Sequence, residues 1–105
     1  MLDYLISYEG AGLFHDFELG DVIVDYRNKQ IVLQLKEPGP PRITHKLKLL
    51  GVQHFQMKFA EPWGKGIYVV ETDIEQEGSI CSMKMLLNSG DIVAVKFERV
   101  EFDNE

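Results

Sequence analysis

The sequence predicts an all-β fold, and three observations predict it. Alternating apolar and polar residues recur in short runs along most of the chain, the period of strands with one buried face. Clusters of Gly, Pro, Asn and Asp, which favour tight turns, separate the runs. Helix has little room: residues 1–9 and 46–57 are the only windows, and in the second Gly51 and its β-branched and aromatic neighbours oppose a helix. A chain of 105 residues holds one core. The expectation is therefore a single domain, residues 1–105, of about seven mainly antiparallel strands, arranged as a sandwich or a partly closed barrel.

Residues 21–26 place Val22, Val24 and Tyr26 on one face and Asp21, Ile23 and Asp25 on the other. The turn Arg27-Asn28-Lys29-Gln30 leads to residues 31–36, where Ile31, Leu33 and Leu35 share a face, so the two runs form a hairpin. Glu37-Pro38-Gly39-Pro40-Pro41 breaks the pattern, because proline removes backbone donors. Ile43, His45, Leu47 and Leu49 then alternate with Thr44, Lys46 and Lys48. Gly51 marks a bend, and Phe55, Met57 and Phe59 share the next face. A second break spans Glu61-Pro62-Trp63-Gly64-Lys65-Gly66, and a short apolar run, residues 67–70, follows it. The polar stretch 71–78 has no obvious inner edge. Residues 79–87 align Cys81, Met83, Met85 and Leu87, and Asn88-Ser89-Gly90-Asp91 turns the chain. In the last run, Val93, Val95 and Phe97 give way to Val100 and Phe102, a one-residue shift of phase that predicts a bulge near Glu98.

Composition excludes several functions. A net charge of −6 argues against non-specific binding to nucleic acid or anionic lipid. No run approaches the ~18 apolar residues of a membrane helix, and the N-terminus lacks the basic region of a signal peptide, so the expected location is the cytoplasm. The single Cys81 fits a reducing compartment. Charge is unevenly spread: residues 1–35 carry −4, residues 36–65 carry +4 and residues 66–105 carry −6. Lys46, Lys48 and Lys58 fit a solvated face of two neighbouring strands. The alternative is an acidic patch of Asp16, Glu18, Asp21, Asp25, Glu98, Glu101, Asp103 and Glu105 that attracts a basic partner.

Catalytic signatures are thin. The His15-Asp16 doublet occurs in metal-dependent phosphohydrolases, but His45 and His54 are not at ligand spacing, so no metal or cofactor is expected. The doublet fits a structural element, with His15 ordering the loop before the first long strand and Asp16 accepting backbone N–H bonds. Cys81 shares a face with Met83 and Met85 and fits the core. No Gly-x-Ser-x-Gly elbow or phosphate-cradling loop occurs. Trp63 fits either a lid on the core or an exposed anchor for a partner.

The stretch Leu13-Phe14-His15-Asp16-Phe17-Glu18-Leu19-Gly20-Asp21-Val22-Ile23-Val24-Asp25, followed by Gln30-Ile31-Val32-Leu33-Gln34-Leu35, resembles the opening of a group of small bacterial domains. Leu50-Gly51-Val52-Gln53-His54-Phe55 and the closing strand over residues 90–102 are also similar. That group includes uncharacterised cytoplasmic proteins and immunity proteins of polymorphic-toxin systems. The resemblance implies a non-enzymatic binding domain, with a basic toxin as one candidate partner. Candidate contact residues are Asp16, Glu18, Asp21, Asp25, Trp63 and Glu101, with His15 and Asp16 as the structural motif. Two other readings stay open. One is a small-molecule or lipid-binding barrel lined by Phe55, Phe59, Met83 and Met85; the other is an enzyme built on His15 and Asp16. Homodimerisation through edge strands is compatible with each.

Overall fold

In a computed structural model, residues 12–104 are described. They form eight strands: β1 (Glu18–Asp25), β2 (Gln30–Lys36), β3 (Thr44–Leu50), β4 (His54–Met57), β5 (Val69–Glu77), β6 (Ile80–Leu87), β7 (Ile92–Phe97) and β8 (Arg99–Asn104). Two four-stranded antiparallel sheets result, one ordered β1-β2-β3-β8 and the other β4-β7-β6-β5. The molecule is all-β, a sandwich that does not close into a barrel, and no helix among the described residues is long and apolar enough to cross a membrane.

The alternating side chains meet between the sheets. Ile31, Leu33, Leu35, Leu47 and Leu49 from the first sheet, and Cys81, Met83, Met85, Val93, Val95 and Phe97 from the second, are at most 2% exposed. Each buried leucine contributes ~1.5–3 kcal/mol relative to exposure, so this inner layer dominates the stability of the fold.

The phase shift at Glu98 is a change of sheet. The chain pairs residues 45–50 with 99–104 in the first sheet and His54–Met57 with residues 93–96 in the second. Between these ladders, residues 51–53 face only residues 97 and 98, so the extra residue lies at the corner on the Gly51 side and not, as expected, in the strand at Glu98. Gly51 makes this possible: its φ is +64°, and a Cβ there would sit 3.0 Å from the Glu98 side chain. The Glu98 and Gln53 N–H groups donate to the Leu50 and Lys96 carbonyls at 2.9 and 2.8 Å, so the ladder bends without breaking.

The window 46–57 holds β3 and β4, as the opposition of Gly51 and its neighbours to a helix predicts, and Leu47 and Leu49 bury at period two. The other helical window, residues 1–9, lies outside the described residues. Several other expectations need correction. Val24 faces inward opposite Ile31, yet it is 55% exposed because β1 is an outer strand. Tyr26 lies in the turn, with the Lys29 ammonium 3.5 Å over its ring. Phe59 lies beyond the end of β4 and is exposed. The polar stretch 71–78 is the long outer strand β5, whose inner edge is Thr72 and Ile74. Met83 and Met85 sit in the solid core while Phe59 faces solvent, so they do not line a common ligand cavity with Phe55.

Candidate functional site

The connection between β4 and β5 carries the exposed aromatics. Phe59 is 85% and Trp63 70% exposed, and Ile67 and Tyr68 continue the apolar surface. Trp63 is thus not a lid over the core.

The backbone behind these rings is held by the turn between β6 and β7. The buried Asp91 accepts the Ala60 N–H on Oδ1 at 3.1 Å, and on Oδ2 the Glu61 N–H and the Ser89 hydroxyl, both at 3.0 Å. Three donors satisfy a carboxylate that burial would otherwise penalise. The Ser89 carbonyl accepts the Trp63 N–H at 2.9 Å. Asn88 Oδ1 accepts the Ile67 and Tyr68 N–H groups at 2.7 and 2.9 Å, and its Nδ2 donates to the Lys65 carbonyl. Within the loop, the Glu61 carboxylate accepts the Gly66 N–H at 2.6 Å, while Glu61 itself holds the left-handed φ of 45° that a non-glycine residue rarely takes. The Trp63 ring lies against Gly90, whose φ is +92° and where a Cβ would fall 2.8 Å from ring atom Cδ2. Only glycine fits beneath the ring.

One arm of the loop pairs with the start of β1. The Leu19 N–H donates to the Ile67 carbonyl, and the Val69 N–H to the Phe17 carbonyl, at 3.0 and 2.9 Å. Asp16, Glu18 and Asp21 therefore flank the loop, and a cleft of about 280 Å³ opens between Leu19, Gly20, Phe59, Glu61 and Ile67. Glu18 is paired with Arg42 at 2.6 Å, which neutralises part of this rim.

The acids proposed from sequence do not form one patch. Asp25 is at the far end of β1, ~23 Å from Glu18 at ~3.3 Å per residue. There it accepts the Asn28 N–H and side-chain amide at 3.1 and 2.8 Å, and those bonds, the amide first, hold its carboxyl below the ordinary range. Glu101 is on β8, three strands and ~14 Å from β1. On β3 between them, Lys48 lies opposite Glu101 and ion-pairs with Asp103 at 3.4 Å, and Lys46 lies opposite Asp103. Lys58 follows β4 in the other sheet, so it does not share a face with Lys46 and Lys48. Glu98 is at the corner, and Glu105 lies outside the described residues.

His15 and Asp16 tie the first turn to β5. His15 Nδ1 lies 3.0 Å from the Val70 carbonyl, and the Asp16 N–H donates to the Val69 carbonyl at 2.8 Å. In this turn Asp16 is a backbone donor, and its carboxylate lies 3.6 Å from His15 Nε2. The neighbouring Leu13 and Phe14 plug into the core, Phe14 at a φ of 61°. Cys81 is buried, which pushes its thiol pKa up. Among the described residues, no three His, Cys, Asp or Glu side chains converge as metal ligands would.

Sequence reasoning missed Phe59, which looked like an inward strand residue, and the anchoring role of Asn88, Ser89 and Asp91, which looked like turn formers only. It also missed a row of acids on β5: Glu71, Asp73, Glu75 and Glu77 are all exposed. Their spacing of two was the available signal.

No family model matches the chain, and no curated protein matches it in sequence. Its fold is similar to that of an uncharacterized protein from Neisseria gonorrhoeae solved by crystallography, with a TM-score of 0.64 and 13% identity over 85% of this chain and 91% of that one. At that identity the likeness is one of fold.

Proposed function

We propose that this chain is a non-enzymatic protein-binding domain whose contact surface is the loop of residues 58–68 with the acidic rim of Asp16, Asp21 and Glu61. The observation that carries this reading is the display of Phe59 and Trp63 on a loop whose backbone is held at Ala60, Glu61, Trp63, Ile67 and Tyr68. A buried carboxylate and two other side chains fix a loop that exposes two large rings to water. Aromatic side chains dominate contact energies, and a loop backbone already held in place loses little entropy on binding. An apolar centre with a charged rim is also the usual anatomy of a protein interface.

Asp16, Asp21 and Glu61 outnumber the loop's Lys58 and Lys65, and this small excess favours a basic partner. In the narrower form of this proposal the partner is a bacterial toxin whose phosphate-binding site the acidic rim covers. That form rests on the resemblance of residues 13–25 to immunity-type domains together with the rim charge. Gel filtration with the purified product of the neighbouring gene tests both forms. The expected result is a one-to-one complex that weakens with salt and is lost in the Phe59→Ala/Trp63→Ala double variant, while the variant's melting temperature stays close to the wild type's. Two independent peaks at low salt refute the toxin form. A complex indifferent to the double variant refutes the assignment of the surface.

A further inference from the structure

The two outer faces of the sandwich treat charge differently. On the outer face of the β1-β2-β3-β8 sheet, opposite charges meet: Lys48 pairs with Asp103, and Arg42 with Glu18. The outer face of the β4-β7-β6-β5 sheet carries charges of both signs, with its acids on the β5 edge and its lysines on or beside the other three strands. Across it, Glu71 lies in register with Leu86 and Ile92; Asp73 with Lys84, Ala94 and Gln56; and Glu75 with Ser82, Lys96 and His54. Acids therefore line the β5 edge, Lys58 lies just past the end of β4 at the other edge, and Ile92 and Leu86 occupy the middle. Among the described residues, no ion pair engages Glu71, Asp73, Glu75, Lys58, Lys84 or Lys96.

We infer that this face docks a second copy of the chain. A twofold axis lying in the interface, parallel to the strands, exchanges the two edges of the sheet. It sets β5 of the second copy over β4 of the first, so Glu71 of one copy approaches Lys58 of the other, twice by symmetry, while Asp73 falls over Gln56. The same operation sets Leu86 of each copy over Ile92 of the other. An open groove of about 490 Å³ already exists there, floored by Ile92 and Ala94 and walled by Lys58, Lys84 and Pro62. Pairing β5 edge to edge with its own copy is disfavoured instead, because four carboxylates on each strand would be brought side by side.

Magnitude sets the expected affinity. Four strands ~4.8 Å apart and ~7 residues long at ~3.3 Å each present roughly 450 Å² in projection. That is about half the ~800 Å² per partner of a standard stable interface. The dimer is therefore expected to be weak, in the micromolar range, and sensitive to salt.

Sedimentation velocity across a protein dilution series, at about 50 mM and about 500 mM salt, tests it; the higher salt shortens the screening length to about 4 Å. Wild type should dimerise at low salt and dissociate at high salt. Lys58→Glu and Glu71→Lys should each raise the dimer Kd at least tenfold, and combining them in one chain should restore it, since both copies then carry the swapped pair. Thermal melts verify that each variant is folded. A wild type that stays monomeric at the highest concentration, single reversals that leave the dimer intact, or a double swap that fails to restore it would each overturn the inference. The partner-binding loop is tested separately, with a different protein and with the Phe59→Ala/Trp63→Ala variant, so loss of the dimer in Lys58→Glu or Glu71→Lys and loss of the complex in that variant are distinguishable.

Discussion

Replacing Asp91 with alanine removes the anchor of the aromatic loop, and the structure permits an estimate of the loss. Hydrogen bonds to an ionised acceptor are worth ~1.5–3 kcal/mol each where water cannot substitute. Ala60 and Glu61 belong to exposed residues, so water recovers part of their two bonds and ~1 kcal/mol apiece remains. Ser89 is fully buried, and its stranded hydroxyl adds ~1–2 kcal/mol. The total is ~3 kcal/mol, a large share of the ~5–15 kcal/mol typical of a domain. With a denaturant slope of ~1.5 kcal/mol per molar urea, the unfolding midpoint should fall by ~2 M. Amide exchange at Ala60, Glu61 and Trp63 should accelerate more than exchange in β6 and β7, and Trp63 fluorescence should shift as its ring leaves Gly90. Asp91→Asn keeps one acceptor oxygen and should lose less. If Asp91→Ala unfolds at the wild-type midpoint with unchanged exchange at Ala60 and Glu61, the loop is not held as argued.

Other consequences can be checked singly. Gly90→Ala forces a Cβ to 2.8 Å from the Trp63 ring at a φ of +92°, so the ring should be displaced, with a changed emission spectrum and a loss of ~2 kcal/mol in urea melts. Leu47→Ala opens a cavity at a fully buried site and should cost ~2–5 kcal/mol, measured the same way. Because Cys81 is buried with a raised pKa, a thiol reagent such as Ellman's should label native protein only as fast as it unfolds, and addition of urea should release the block. For Asp25 the carboxyl is held below its unfolded value by Asn28, so its contribution to folding is present above the unfolded pKa and disappears as pH falls through the lowered folded value. Asn28→Ala should return the Asp25 carboxyl titration, followed by NMR, toward the ordinary range; an unmoved titration would mean another cause.

The inner layer of the fold was legible because burial at period two leaves a direct trace, as at Ile31, Leu33 and Leu35. The corner was half legible: the phase shift between Phe97 and Val100 located it, but a bulge within one sheet and a passage between two sheets produce the same shift. The second sheet's outer strand was obscure because Thr72 takes an inward position that apolar patterning assigns to no face. The candidate site was the least legible part. Trp63 could be named but not placed, since a ring in a turn has the same sequence whether it covers the core or faces solvent. Asp91 could not be distinguished from any turn aspartate, because its donors, Ala60 and Glu61, lie about thirty positions earlier in the chain. Charge totals failed for a related reason: acids on β1 and β8 share a sign but occupy opposite edges of a sheet with lysines between them.

The bent ladder at Gly51 and Glu98 also bears on how the chain reaches this state. A single pair of segments, residues 44–57 and 92–104, serves both sheets, so neither sheet can be completed before the first half of the chain finds the second. Its contacts join residues more than thirty-five positions apart, from Met57 with Val93 to His45 with Asn104. Such closure must meet its entropic cost before the core rewards it, which puts folding in the millisecond-to-second range rather than the microsecond range of local topologies. The β5–β6 pairing is local in sequence, and until the long pair closes the Met83 and Met85 face has no opposing sheet to cover it. Substitutions that loosen the corner should therefore slow folding and raise losses to aggregation at high concentration.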